Sequence, residues 1–226
     1  MFNIFPLIDF RLYMSMSPAQ TRIHQAALRL FAEKGSTRIS VSELAQAAGI
    51  ARGTIYNNLD APERLFQSVA AQLTEEMHQR IVMSFDGVDD PARRLANGIR
   101  FFMRRAHEEP HWGRFVSRFA FSSESLQGLW SGPPMRDVLQ GMSLGRYDFR
   151  SGQLQAVVSM IAGSVLSAMF LVMEGLCTWR EAGSDAAELL LRGMGVPAPE
   201  ARAIATAELP PLPEPMSLQQ TGLKAA

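Results

Sequence analysis

The most overt chemical signature in the chain is His107-Glu108-Glu109-Pro110-His111, which matches the H-E-x-x-H zinc-peptidase pattern letter for letter. That chemistry needs two histidines one turn apart on a continuous helix, with the glutamate as general base. Pro110 works against it, because it disfavours helical backbone at Glu109 and removes an N–H. No convincing third ligand follows in a chain with four histidines (24, 78, 107 and 111). A metal-dependent hydrolase at His107 and His111 is therefore the lesser alternative. No Gly-rich phosphate loop or Ser/His/Asp arrangement offers a further one. The reading is a non-enzyme that calls for no metal and no cofactor.

A second stretch points to different chemistry. Residues 41–60 (VSELAQAAGIARGTIYNNLD) have what a helix-turn-helix requires. Ala45 is the small residue at the helix crossing, and Gly49 supplies the left-handed backbone of the turn. Leu44, Ile50 and Ile55 form the apolar seal. The second helix of such a unit lies in the major groove, its N-terminal residues near base edges. Arg52 then suits guanine or a phosphate, Asn57 and Asn58 suit adenine, and the Thr54 methyl suits a thymine methyl. Thr37, Ser40 and Ser42 sit at the N-terminus of the preceding helix, where backbone N–H groups favour an anion. An ordinary helical hairpin shares this periodicity, so the pattern alone leaves that alternative open.

The elements that must position these residues are all helical, since turn signals fall between helix-period segments and no strand-like alternation occurs. Ser17-Pro18-Ala19-Gln20 is a capping box with Pro at the first helical position, so a helix is predicted over 17–34, stopped by Gly35. Ser40–Glu43 caps a second helix, a third runs from about Arg52 to Asn58, and Asp60–Glu63 caps a long fourth reaching about Phe85. Pro91 opens a helix to about Glu108 and Pro110 another to about Phe121. Helical sequence broken by Gly132-Pro133-Pro134 ends near Phe149. An uncharged helix covers about 153–176, Ser184-Asp185 begins another through Leu191, and a short one follows Pro197. The expected architecture is all-α, a helix-turn-helix three-helix unit at 17–64 followed by a larger bundle at 65–208. Residues 1–16 read as a disordered extension or a misassigned start, and 209–226 as a disordered, proline-rich tail.

With 226 residues, 47% hydrophobic and 19% charged, the chain is neither disordered nor fibrous. The single Cys177 excludes a disulfide framework within one chain and a cysteine zinc site, and it fits a cytoplasmic protein. Lys+Arg and Asp+Glu number 22 each, without the basic excess that marks many nucleic-acid binders. The balance is uneven, however: residues 17–64 hold six basic and four acidic side chains, and the rest 16 and 18. Non-specific DNA affinity should be modest and its salt slope shallow.

Residues 18–66 resemble the DNA-binding domain of the TetR family of bacterial transcriptional regulators. The resemblance rests on Ala27–Gly35 (ALRLFAEKG), Ser42–Ile50 (SELAQAAGI), Arg52–Tyr56 (RGTIY) and Glu63-Arg64-Leu65. It implies a phosphate contact from Tyr56. The chain departs from the family pattern at four places. Ala51 stands where Ser or Thr usually caps the recognition helix, and Asn57-Asn58 where Tyr and His are commoner. Leu59 replaces an aromatic residue, and Pro62 a lysine that often holds phosphate, leaving Arg64 to compensate.

The resemblance further implies a homodimeric, cytoplasmic repressor on a palindromic, double-stranded operator, released when a small molecule moves the helix at 62–84. A small-residue stripe at Ser159, Gly163, Ser167 and Gly175 is the candidate dimer face. Phe102, Met103, Trp112 and Phe115, with Phe119, Trp130, Met160 and Met169, are candidates for a pocket, since Met and aromatics line adaptable apolar sites. The expected effector is a hydrophobic or aromatic small molecule. Residues 151–173 carry no charge and reach the length of a bilayer span. Gln153, Gln155, Ser159, Ser164 and Ser167 in this run suit a helix buried between protein surfaces, so a membrane-tethered protein is the other lesser alternative and no membrane partner is expected.

Overall fold

The computed structural model describes residues 16–59 and 61–213. Residues 1–15, Asp60 and 214–226 lie outside the described part, and with them most of the extension and most of the tail. Ser17 opens α1 (Pro18–Lys34) by the expected capping box: its hydroxyl accepts from the Gln20 N–H at 3.2 Å, and Gln20 Oε1 takes the Ser17 N–H at 2.8 Å. After α2 (Val41–Ala48) and α3 (Arg52–Asn58), a 3-10 turn at Pro62–Arg64 feeds directly into α4 (Leu65–Met83). The body then comprises α5 (Pro91–Glu108), α6 (Pro110–Phe119), α7 (Glu124–Ser131), α8 (Pro133–Ser143), α9 (Leu154–Met173), α10 (Trp179–Gly193) and α11 (Ala198–Thr206). Helix α5 is the hub, packed against α6, α8, α9, α10 and α11.

Four rings join the N-terminal unit to this body. Phe66, in the first turn of α4, lies edge-on to Phe31 of α1 at 5.2 Å and to Phe119 of α6 at 5.0 Å, and Phe115 completes the cluster 5.4 Å from Phe66. All four are buried. Such pairs add about 0.5–1.5 kcal/mol each beyond the area they bury. A second tie lies further along α4. Arg105 of α5 is almost fully buried, stacked over the Trp112 ring at 4.6 Å, and donates to Glu76 at 2.6 Å and Glu109 at 3.1 Å. Arg80 donates to the same two carboxylates, Glu76 at 3.4 Å and Glu109 at 3.2 Å. A charge buried as deeply as Arg105 requires partners of this kind, since removing one typically costs about 3–5 kcal/mol.

Two elements differ from expectation. Helix α10 begins at Trp179 rather than Ser184, because Thr178 and Glu181 form a capping box. Gly183 sits inside it: a Cβ there would lie 3.3 Å from Arg100 Cα, so glycine lets α10 approach α5. The proline-rich segment is docked as far as it is described. Leu212 is buried and the Pro213 carbonyl accepts from Arg80 Nε at 2.8 Å. The apolar run Ser151–Met173, with a mean hydropathy of 2.2, is long and apolar enough to cross a membrane, yet here α9 packs on α5, α6 and α10.

Two histidines mark the same seams. His24 of α1 is hydrogen-bonded to Gln72 of α4, and His78 packs against Gly132 at the α7–α8 break with its Nε2 buried and without a partner among the described residues. Burial pushes both imidazoles down from 6.5. A group whose pKa is depressed on folding adds stability above its unfolded value and loses it as pH falls. Melting temperature should therefore drop between pH 7.5 and 5.5. A His24→Gln/His78→Gln variant should show a flatter profile in calorimetry; a slope equal to the parent's would contradict this assignment.

Candidate nucleic-acid interface and effector slot

The helix-turn-helix forms from the residues singled out for it. Ser40 caps α2, accepting from the Glu43 N–H at 3.2 Å, while Glu43 accepts the Ser40 N–H at 2.9 Å and its hydroxyl at 3.0 Å. Lys34 at the end of α1 pairs with Glu43, and this pairing, more than the Ser40 bonds, holds that carboxyl down at about 2. Gly49 turns the chain at φ 65°, and the Ile50 N–H reaches back to Ala45 O at 3.1 Å. Leu44, Ala45 and Ile55 are buried, so α2 and α3 are sealed where expected, with Ile50 half-buried beside them.

What remains outside is a polar face. Thr37, Ser42, Arg52, Asn57 and Arg64 are exposed, and Tyr56 is 61% exposed despite its ring. Ser40 is exposed with its hydroxyl engaged in the cap, and Thr54 is half-buried. Asn58 is not free for an adenine edge. Its Nδ2 donates to Thr54 O at 2.8 Å, its Oδ1 accepts from the Ser17 hydroxyl at 3.1 Å, and its backbone carbonyl accepts from Gln20 at 3.4 Å. Asn58 instead clamps the end of α3 to the start of α1. Ala51 occupies the N-cap of α3 without any side-chain cap bond.

The zinc pattern is broken where Pro110 stands. Helix α5 ends at Glu108 and α6 starts at Pro110, so His107 and His111 belong to different helices. Among the described residues no group of three or more His, Cys, Asp and Glu is arranged to hold a metal.

The eight candidate pocket residues divide among several places. Phe102 and Trp130 line an apolar slot, stacked at 5.4 Å. Phe115 and Phe119 belong to the four-ring joint, because α6 packs on α1. Met160 is 39% exposed on the outer side of α9, near Gly193 of α10. Trp112, Met103 and Met169 are fully buried and lie outside the slot lining. The slot's other walls include Ile81 and Phe85 of α4 and its end, Leu95 and Ile99 of α5, and Ile161 and Val165 of α9. Its free interior of about 20 Å³ holds about one water molecule, so this state is closed.

Sequence reasoning missed the slot's polar members and its opening. Arg94 donates through Nε to Asp137 Oδ1 at 2.7 Å, and Asp137 is 5% exposed. No spacing rule links an α5 arginine to an α8 aspartate. Gly98 was a readable signal, being a glycine inside a helix. A Cβ at this position would meet nothing within 4 Å among the described residues. The dimer stripe is also revised. Ser159 and Ser167 are exposed and Gly163 half-exposed on α9, but Gly175 lies beyond the helix at φ 68°, with the Leu176 N–H closing the cap on Leu171 O at 2.9 Å. Phe170, Leu171 and Leu189 are large exposed apolar side chains on α9 and α10.

An outward helix-turn-helix joined through one long helix to a slotted bundle is the plan of a one-component transcription regulator. Residues 23–68 match the family model for bacterial regulatory proteins of the tetR family, and 90–207 the model for the tetracyclin repressor-like C-terminal domain. The chain belongs to the TetR family. It is 33% identical over 92 residues to an uncharacterised HTH-type transcriptional regulator of Mycobacterium tuberculosis, covering 41% of this chain and 46% of that one. It is 30% identical over 118 residues to the regulator EthR of Mycolicibacterium smegmatis, covering 50% and 52%. The chain thus spans about half the length of the curated relatives it matches. The crystal structure of RolR in complex with resorcinol superposes with a TM-score of 0.63 at 27% identity, covering 86% of this chain and 96% of that one.

The uncapped α3 gives a direct test. Ala51→Ser should raise unfolding free energy by about 1 kcal/mol in urea titrations. No gain would mean that the turn geometry excludes a serine cap.

Proposed function

We propose that this protein is a ligand-responsive transcriptional repressor that binds a palindromic operator as a homodimer, in the cytoplasm, through α3. The observation that carries this reading is the polar, outward face of α3, set on a buried helix-turn-helix and connected by α4 to an apolar slot. Arg52 and Asn57 stand as base-reading candidates, and Tyr56, Thr37, Ser42 and Arg64 as backbone contacts. About half or more of such bonds go to phosphate and sugar. Thr54 offers its methyl to a thymine.

One unit of this size grips too little DNA for useful specificity, which favours a two-fold dimer. The outer side of α9 and α10 supports that arrangement. Small side chains at Ser159, Gly163 and Ser167 permit close helix approach, and the exposed apolar Met160, Phe170 and Leu189 need covering.

The effector enters as the force that opens the slot. Ile81 and Phe85 form part of its wall at the far end of α4, whose first turn holds the ring joint to the N-terminal unit. A molecule wedged between them displaces α4 and respaces the two copies of α3. This is a population shift, and moving the equilibrium from 1:99 to 99:1 takes about 5.5 kcal/mol of differential affinity. The crystallised complex of RolR with the aromatic resorcinol supports an aromatic effector here.

Selection from a random DNA pool would supply the operator. On that operator, Arg52→Ala should weaken binding by about 1–3 kcal/mol, with helicity unchanged. Unchanged affinity would remove Arg52 from the interface.

A further inference from the structure

Building on the effector-slot reading above, we infer that the slot selects a neutral, ring-hydroxylated aromatic molecule, that Asp137 is its recognition residue, and that carboxylate ligands are rejected. The walls are apolar except at one end, where Asp137 and Arg94 meet. These two groups do not offer equal capacity to a newcomer. Arg94 has five N–H donors, and its Nε goes to Asp137, its Nη1 to the Val88 carbonyl at 3.1 Å and the Asp89 carbonyl at 2.7 Å, and its Nη2 to Gln140. Four of its five N–H groups are therefore committed to acceptors already in the fold, which leaves a single Nη2 N–H. Asp137 accepts from Arg94 Nε through Oδ1, whereas an ionised carboxylate accepts at about four lone-pair sites. At the Asp137 end, most of the capacity the slot has to spare is acceptor capacity.

Charge points the same way. Arg94 and Asp137 neutralise each other, so an anion entering the slot would meet the Asp137 carboxylate, while the Arg94 charge is already spent on it and on three acceptors of the fold. Burying an unpaired charge is among the costliest events in a protein interior. A hydroxyl on an aromatic ring is neutral, donates one hydrogen bond to Asp137 and leaves the apolar ring to the walls. Trp130, also a wall residue, keeps its indole Nε1–H buried and without an acceptor among the described residues. A second ring oxygen could accept from it. Burial pushes the Asp137 carboxyl up, and the Arg94 bond offsets this only in part. The space for the ring begins at Gly98, whose missing Cβ faces open volume at the slot wall.

Isothermal titration calorimetry on the full chain, without DNA, tests this with three compounds of similar size: resorcinol, 1,3-difluorobenzene and benzoate. Resorcinol should bind at least tenfold more tightly than difluorobenzene, which lacks donors, and benzoate should bind most weakly. Asp137→Asn should lower resorcinol affinity at least tenfold and raise that for benzoate, because the repelling charge is gone and Arg94 is partly released. That gain is something a merely misfolded variant does not produce. Gly98→Leu should abolish resorcinol binding while the melting temperature is kept. Benzoate binding as tightly as resorcinol, no resorcinol binding at all, or an unaltered preference in Asp137→Asn would overturn the inference. Arg52-dependent operator binding is scored separately, so the regulator reading stands or falls on its own result.

Discussion

Helix α4 is fixed at one end by apolar packing and near the other by charge, and the rest of the molecule follows from that constraint. Its first turn carries Phe66 into a buried cluster shared by α1 and α6. About four turns later Arg80 and Glu76 join Arg105 and Glu109, and Arg80 also receives the docked proline-rich segment. A helix of 19 residues spans about 28 Å, so one rigid rod links the DNA-facing unit to the slot wall. Rings tolerate small rotations against one another, since offset and edge-on geometries lie close in energy. The buried guanidinium of Arg105 does not tolerate losing its carboxylates. A displacement of α4 that pivots while keeping those pairs is therefore cheaper than one that slides the helix along α5.

The DNA-facing unit shows a related division of labour. Asn58 holds α3 against α1 from within, which compensates in part for a recognition helix that begins on an uncapped alanine. The exposed polar face is left to Arg52, Tyr56 and Asn57. The lysine that often holds phosphate has become Pro62, which instead starts the 3-10 turn leading into α4. Rigidity at this junction matters more to a lever than one additional phosphate contact.

Much of this was legible in the residues, and the limits of that legibility are physical. Capping boxes, Gly35, Gly49 and the prolines set most helix boundaries locally, so the three-helix unit and its motif emerged intact. Periodicity identifies residues that are buried but not the neighbours they are buried among. Phe115 and Phe119 were thus indistinguishable from Phe102 and Trp130 until α6 was seen against α1. Met160 read as interior because an uncharged helix hides which side faces out. The Thr178–Glu181 cap is as plain as those at Ser17 and Ser40, whereas the reason for Gly183 is a close approach to Arg100 from a distant helix. Arg94 and Asp137 carry no mutual signal at all; only the packing of α8 on α5 brings them together.

The central claim is that slot occupancy moves the DNA-facing units through α4. Spin labels at an introduced cysteine on exposed Gln25 of α1, with Cys177→Ser, would report the distance between the two units of a dimer. Saturating resorcinol should shift that distance distribution by several ångströms. A distribution unchanged when calorimetry shows the slot occupied would contradict the account.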